Sequence, residues 1–255
     1  MPMHLQRFHP AIALQPYIRE FVLIEADEAT DSMVIPDTSL VLSLRYRGLV
    51  KNSEETLPDV VISGLRRSAR LFAYARQTAN FLVIFREGGV AGFTRMPANE
   101  YFDQSVSAEN LFPRSGLEPL LEQLAEAITD EERVRWVEAF LLGRLVNTKQ
   151  DALIGNAVRL IRQHNGIIRI DKLASSLYLS KDPFEKRFRG LVGSTPKQYA
   201  SIIRLRGLIQ SYPSYSSLTE ASYEAGYFDQ SHFIKDFRLF TGRSPREFFQ
   251  SSLFW

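Results

Sequence analysis

The chain has 255 residues and no cysteine; its length accommodates two domains, and disulfide frameworks, Cys-ligated zinc, iron–sulfur clusters and thiol nucleophiles are excluded. Apolar residues make up 45% and charged residues 24%, which excludes wholesale disorder, and no apolar run approaches the ~20 residues of a membrane span. Charge is uneven: residues 1–150 hold 16 Lys and Arg against 20 Asp and Glu, whereas residues 151–255 hold 15 against 9, so the second half is the one suited to a polyanion.

The first hundred residues read mainly as strands. Residues 39–46 alternate polar and apolar, the period-two pattern of a half-buried strand, and 60–62, 71–75 and 80–86 are shorter candidates separated by turn-forming segments. Several short strands at this spacing predict a small β barrel or sandwich. The Gly88-Gly89 pair lacks the pattern of a phosphate loop and is expected to give a tight turn into a helix starting at 90–94.

From Leu117 the period becomes helical. Leu117, Leu121, Leu124 and Ile128 form one stripe, and a second helix capped at Thr129 carries Val134, Val137, Leu141 and Leu145. The two stripes have two readings, core within the chain or the face of a dimer. Residues 147–150 are the linker candidate, and a helix over about 152–164 follows, stopped at Gly166.

The basic half contains a duplication. Residues 184–199 align with 233–248 at a constant offset of 49, with six of sixteen positions identical: Phe184/Phe233, Lys186/Lys235, Phe188/Phe237, Arg189/Arg238, Gly193/Gly242 and Pro196/Pro245. Each copy follows a short helix and a tight turn. In the second, Ser217 caps a helix that ends at Gly226, and Asp229 caps the next; in the first, residues 171–178 lead, Ser180 caps, and Pro183 falls in the first turn, where a missing N–H is no loss. Helix, turn and capped helix make a helix-turn-helix, whose second helix enters the major groove. Residues 197–211 read as one connecting helix stopped by Pro213.

The phenylalanines pin each second helix inward and leave polar residues outward. These are the base-reading candidates: Lys181, Asp182, Glu185 and Lys186 in the first unit, Gln230, Ser231, His232 and Lys235 in the second. Gln pairs two-pronged with adenine, and Lys reaches guanine or a phosphate. Arg189, Arg204, Arg206 and Arg238 are candidates for phosphate contacts, which give affinity and salt dependence.

Residues 217–233, followed by Lys235, Phe237, Arg238, Gly242, Ser244, Pro245 and Phe248, resemble the signature of the AraC/XylS family of bacterial transcription regulators. The resemblance covers about residues 167–250. Lys186 and Lys235 stand where that family usually has arginine, and Ala221-Ser222 where it usually has Ile-Ala. It implies an all-helical domain with two helix-turn-helix motifs joined by a linker helix, double-stranded DNA as the partner and RNA polymerase as a further contact. The N-terminal part also resembles an uncharacterised sensor-type domain of some such regulators, on residues 35–40, 85–93 and the helices after Leu117, with Glu87 in place of an expected proline.

The expected fold class is therefore multidomain α+β: a mixed β/α domain over 1–146, for sensing or dimerising, and an all-α DNA-binding domain over 147–255, with motifs at about 170–191 and 218–240. Tyr46, Arg45, Tyr74 and Arg86 are polar candidates for a ligand pocket. A small-molecule effector and a homodimer are the two controls this layout offers; the alternative is a ligand-independent regulator whose N-terminal half only dimerises or binds protein. No cofactor or metal is expected, since His4, His9, His164 and His232 are scattered, and the absence of hydrolase motifs argues against an enzyme. With no export pattern at the N-terminus, the expected location is cytoplasmic.

Overall fold

The computed structural model describes residues 3–53, 55–147, 149–212, 217–227 and 229–250. Nine strands open the chain: β1 (Met3–Phe8), β2 (Ile18–Ala26), β3 (Thr30–Val34), β4 (Val41–Arg47), β5 (Val50–Lys51), β6 (Val60–Ser63), β7 (Arg70–Tyr74), β8 (Thr78–Phe85) and β9 (Ser105–Ser107). They form a six-stranded antiparallel sheet in the order β1-β2-β8-β4-β6-β9 and a three-stranded sheet in the order β3-β7-β5.

Alternation divides the large sheet into two apolar faces. Phe21, Leu23, Leu42, Leu44, Ile62, Phe81, Val83 and Phe85 point into the main core, whereas Val22, Ile24, Val61 and Ile84 face Val50, Phe72 and Tyr74 of the small sheet. This is why β2 contains an unbroken apolar run: the strand is covered on both sides.

The helices are α1 (Arg114–Glu126), α2 (Asp130–Leu142), α3 (Ala152–Gln163), α4 (Ile170–Ser176), α5 (Lys181–Val192), α6 (Pro196–Ser211), α7 (Leu218–Glu224), α8 (Gln230–Thr241) and α9 (Pro245–Gln250). Leu117, Leu120 and Leu124 of α1 and Val137 and Leu141 of α2 are buried against β4 and one another, so this stripe is core within the chain. Thr129 caps α2 as expected, accepting from the Glu132 N–H at 3.2 Å. Two stripe residues fall outside the helices: Ile128 lies past the end of α1 and is 90% exposed, and Leu145 lies past α2. The helix expected at 90–94 is only a 3-10 turn, Gly89–Gly92, held by a left-handed Gly88 and closed by the Phe93 N–H on the Val90 carbonyl. Thr148, inside the linker candidate, and Pro213 lie outside the described residues. No helix among the described residues is long and apolar enough to cross a membrane.

Candidate nucleic-acid interface

The offset of 49 survives as geometry. α5 and α8 are both twelve residues long and start 49 positions apart. Each ends on a left-handed glycine, Gly193 at φ 95° and Gly242 at φ 76°, and each is followed by a Pro-initiated helix. Thr195 accepts from the Gln198 N–H at 3.2 Å, and its counterpart Ser244 accepts from the Glu247 N–H at 3.3 Å. Inside the units, Phe184 and Phe188 pack tilted at 5.8 Å, and Phe233 and Phe237 at 5.4 Å, all fully buried. Each pair lies on one face of its helix, the face that packs inward.

The copies differ at their starts. Asp229 accepts from the His232 N–H at 2.7 Å, and Ser217 from the Glu220 N–H at 3.1 Å, so both second-unit helices are capped by side chains. Ser180 and Arg169 stand at the equivalent first-unit positions without capping bonds from their side chains. The second unit turns on Gly226 at φ 73°; the first turns on Tyr178 at φ 58°, a conformation that disfavours a bulky residue.

Of the base-reading candidates, Lys181, Asp182, Lys186, Gln230, Ser231, His232 and Lys235 are exposed and Glu185 is half-buried. Lys181 and Glu185 approach to 3.9 Å. His232 is engaged on its own helix, 3.8 Å from Asp236, with its ring edge-on to Tyr227 at 5.5 Å. Arg189 and Arg238 are exposed.

Arg204 and Arg206 are placed differently from the expectation. Arg204 lies over the Tyr227 ring at 4.2 Å and pairs with Asp236 at 3.7 Å, so α6 uses it to hold the second motif. Arg206 reaches the β domain, donating to the Pro36 carbonyl at 3.1 Å and standing 3.8 Å from Asp37. Both lie on α6, but their guanidiniums are taken up inside the molecule.

Two residues outside the sequence candidates organise the junction between the halves. Glu87 is bound by the Arg162 guanidinium of α3 and accepts from the buried Tyr199 hydroxyl of α6 at 2.9 Å. Arg162 also donates to Thr38 Oγ1 at 3.0 Å. Burial pushes the Glu87 carboxyl upward, but the Arg162 charge together with the hydrogen bonds to the carboxylate outweighs it and holds the group below its ordinary value. Asp37 follows the same logic: burial raises it, and Arg206 and Arg19 bring it lower still. The one sequence signal was Glu87 itself, standing where a proline is expected.

Behind this junction a cavity of about 640 Å³ lies between the two sheets. Val22, Ile24, Val41, Val61, Leu82 and Ile84 line one wall, Met33, Val50, Phe72 and Tyr74 the other, and Arg162, Ile203 and Arg206 of α3 and α6 reach its edge. Arg45 and Tyr74 are among its lining residues. Tyr46 instead lies under Arg133, and Arg86 donates to the Gln15 carbonyl. Arg66, on the cavity wall, is buried, bonds the Ser105 hydroxyl through Nη2, and has neither an ion pair nor a partner for Nη1 among the described residues. Burial, followed by the charge of Arg70, pushes its pKa down to about 10.

Two helix-turn-helix units on a β domain define a DNA-binding protein of modular type. A family model for a helix-turn-helix domain matches residues 173–251, and one for a domain of unknown function, DUF6597, matches residues 6–107. The helix-turn-helix domain is of the AraC type, and it follows the DUF6597 domain in the same chain. Solved structures similar to it include unsaturated fatty acid-bound wild-type ToxT from Vibrio cholerae strain SCE256, 12% identical over 89% of this chain and 94% of that one, TM-score 0.46. They also include ToxT from V. cholerae O395 bound to (E)-4-(8-methylnaphthalen-1-yl)but-3-enoic acid, 9% identical over 97% and 98%, TM-score 0.47. The AraC-like transcriptional activator CuxR is 15% identical over 88% and 84%, TM-score 0.31. No curated protein matches.

Proposed function

We propose that this regulator reads two adjacent major-groove segments of double-stranded DNA through α5 and α8, and that a small molecule in the β-domain cavity controls it. The observation that carries the first part is the repeat. Two equivalent helices keep the same length, C-terminal glycine and buried phenylalanine pair, and both leave the polar residues of their first turns outward, where recognition helices meet base edges. The sixteen-residue α6 between them spans ~24 Å at 1.5 Å per residue. The working division is a controlling domain over 1–146 and a DNA-binding domain over 147–255.

The cavity favours effector control over an N-terminal half that only dimerises. Its size falls in the ~300–1,000 Å³ range of small-molecule sites, and its edge is built from α3 and α6, which pack against the recognition helix α5. The apolar walls and Arg66, which has no ion pair among the described residues, fit a mostly apolar molecule with one anionic group. An occupant that displaces Arg206 or Arg162 would bias how the helical half sits on the β half, and so the population able to bind DNA.

The test is selection of bound sites from a random DNA library by the full chain, repeated across salt concentrations. Two short fixed blocks about one helical turn (~34 Å) apart are expected, and duplicated blocks would report a second copy. Salt-sensitive binding without any selected sequence would refute paired reading. For the cavity, a straight-chain carboxylate should bind the wild type and lose affinity in Arg66→Ala, while the alcohol of equal length is indifferent to the change; equal effects on both would refute the anionic anchor.

A further inference from the structure

A second groove lies on the outside of the molecule, between the β half and α5. One wall is the segment 94–97 and the other is α5 itself, through Pro183, Lys186, Arg187 and Gly190. The segment is fixed at both ends. Phe93 before it and Ala98 and Tyr101 after it are buried in the core, and the Thr94 hydroxyl accepts from the Met96 N–H at 3.0 Å. The turn that follows, Ala98–Tyr101, packs directly on α5, where a Cβ at Gly193 would stand 3.2 Å from the Ala98 carbonyl. Arg95 is therefore held at a set position beside the first recognition helix although it belongs to the other half of the chain.

The groove's charge is one-sided. Its lining includes Arg95, Lys186 and Arg187 and no Asp or Glu. Arg187 is paired with Asp151 at 2.6 Å, but Arg95 and Lys186 form no ion pair among the described residues. Arg95 thus adds a cation from the half of the chain that carries more acidic than basic residues to the two that α5 supplies from the basic half. At about 100° per residue, 183, 187 and 190 form a stripe beside that of 182, 186 and 189. Segment 94–97 thus flanks the reading face, with Lys186 common to both. A helix lying in the major groove has phosphates along its flanks, and these are what exposed arginines there meet.

We propose that the β half takes part in DNA binding directly, with Arg95 contacting a backbone phosphate that flanks the base pairs read by α5. The DNA site is then longer than the two motifs alone define, and its affinity depends on how the two halves are docked. This rests on the reading that α5 enters the major groove.

The experiment uses the full chain and the site selected by the wild type. Arg95→Ala should weaken the selected site and its single-base variants by the same factor and reduce the slope of log affinity against log salt by about 0.9. Arg95→Lys should restore the slope, since a phosphate needs only a point charge. Ethylation interference should lose one phosphate signal in the alanine variant. Unchanged affinity and slope in Arg95→Ala, with the wild type still selecting a site, would overturn the proposal while leaving the reading of α5 intact. Tighter binding in Arg95→Ala would also overturn it, because the segment would then obstruct DNA. If the wild type selects no site and Lys186→Ala changes nothing, the reading of α5 falls and the proposal falls with it.

Discussion

Removing Glu87 takes away a polar contact that joins the two halves of the molecule at the buried Tyr199. Its pair with Arg162 is half open to solvent, the guanidinium side chain being 44% exposed, and is discounted to ~0.2–1 kcal/mol. The larger effect lies at Tyr199, which is fully buried and donates its hydroxyl to Glu87. In Glu87→Ala that hydroxyl loses its acceptor, which costs ~1–3 kcal/mol, so the total expected loss is about 1–4 kcal/mol. Tyr199→Phe alone removes the donor and leaves Glu87 its arginine, for a loss of ~1 kcal/mol. With both changed, no orphaned hydroxyl remains, and the double variant should be more stable than the two losses combined by about 1 kcal/mol. Urea unfolding measures this, through midpoints compared at unchanged slope. Losses that add within ~0.5 kcal/mol would refute the coupling and the reasoning that places Glu87 at the junction.

Other consequences are as direct. Glu87 and Asp37 both have folded values below their ordinary 4.5 and 3.8, so the stability they supply is complete above those values and is lost as pH falls through the depressed ones. Urea midpoints should fall with acid below this range, and less so in Glu87→Gln combined with Asp37→Asn; equal falls in both proteins would contradict the assignment. Gln230→Ala with Lys235→Ala should relax base discrimination by ~1–3 kcal/mol per lost pair in competition with altered sites. Arg238→Ala should weaken all sequences alike and lower the salt slope by about one contact; a sequence-selective effect would place Arg238 on a base instead. Gly64→Ala would put a methyl 1.9 Å from the Tyr101 carbonyl oxygen, so thermal unfolding should reveal a loss of at least ~1–3 kcal/mol, and an unchanged midpoint would show that the turn supporting α5 can yield.

Much of the helical half was legible because its signals are local. Caps at Ser217 and Asp229, glycines at 193, 226 and 242 and phenylalanines at steps of four each act within one turn of backbone. The alternating strand at 41–47 was legible, as were the apolar runs of β6 and β8, whereas β2 and β3 were not read as strands. β2 is apolar on both faces, and β3, Thr30–Val34, is a polar segment ordered by pairing with β7. The capping strength of Ser180 was overestimated because an N-cap residue type does not ensure the hydrogen bond.

The sequence by itself determined the repeat, the two helix-turn-helix units, the outward polar faces of α5 and α8, and a β-rich first half, because periodicity and capping are settled between near neighbours. Only the tertiary structure decided which charges are spent inside the molecule. Arg206 meets Pro36 across 170 residues, Tyr199 meets Glu87 across 112, and Arg162 meets Glu87 across 75. Such pairings depend on how sheets and helices dock as bodies, and no local pattern encodes that; the same docking encloses the cavity and sets Arg95 beside a helix that begins 86 positions later.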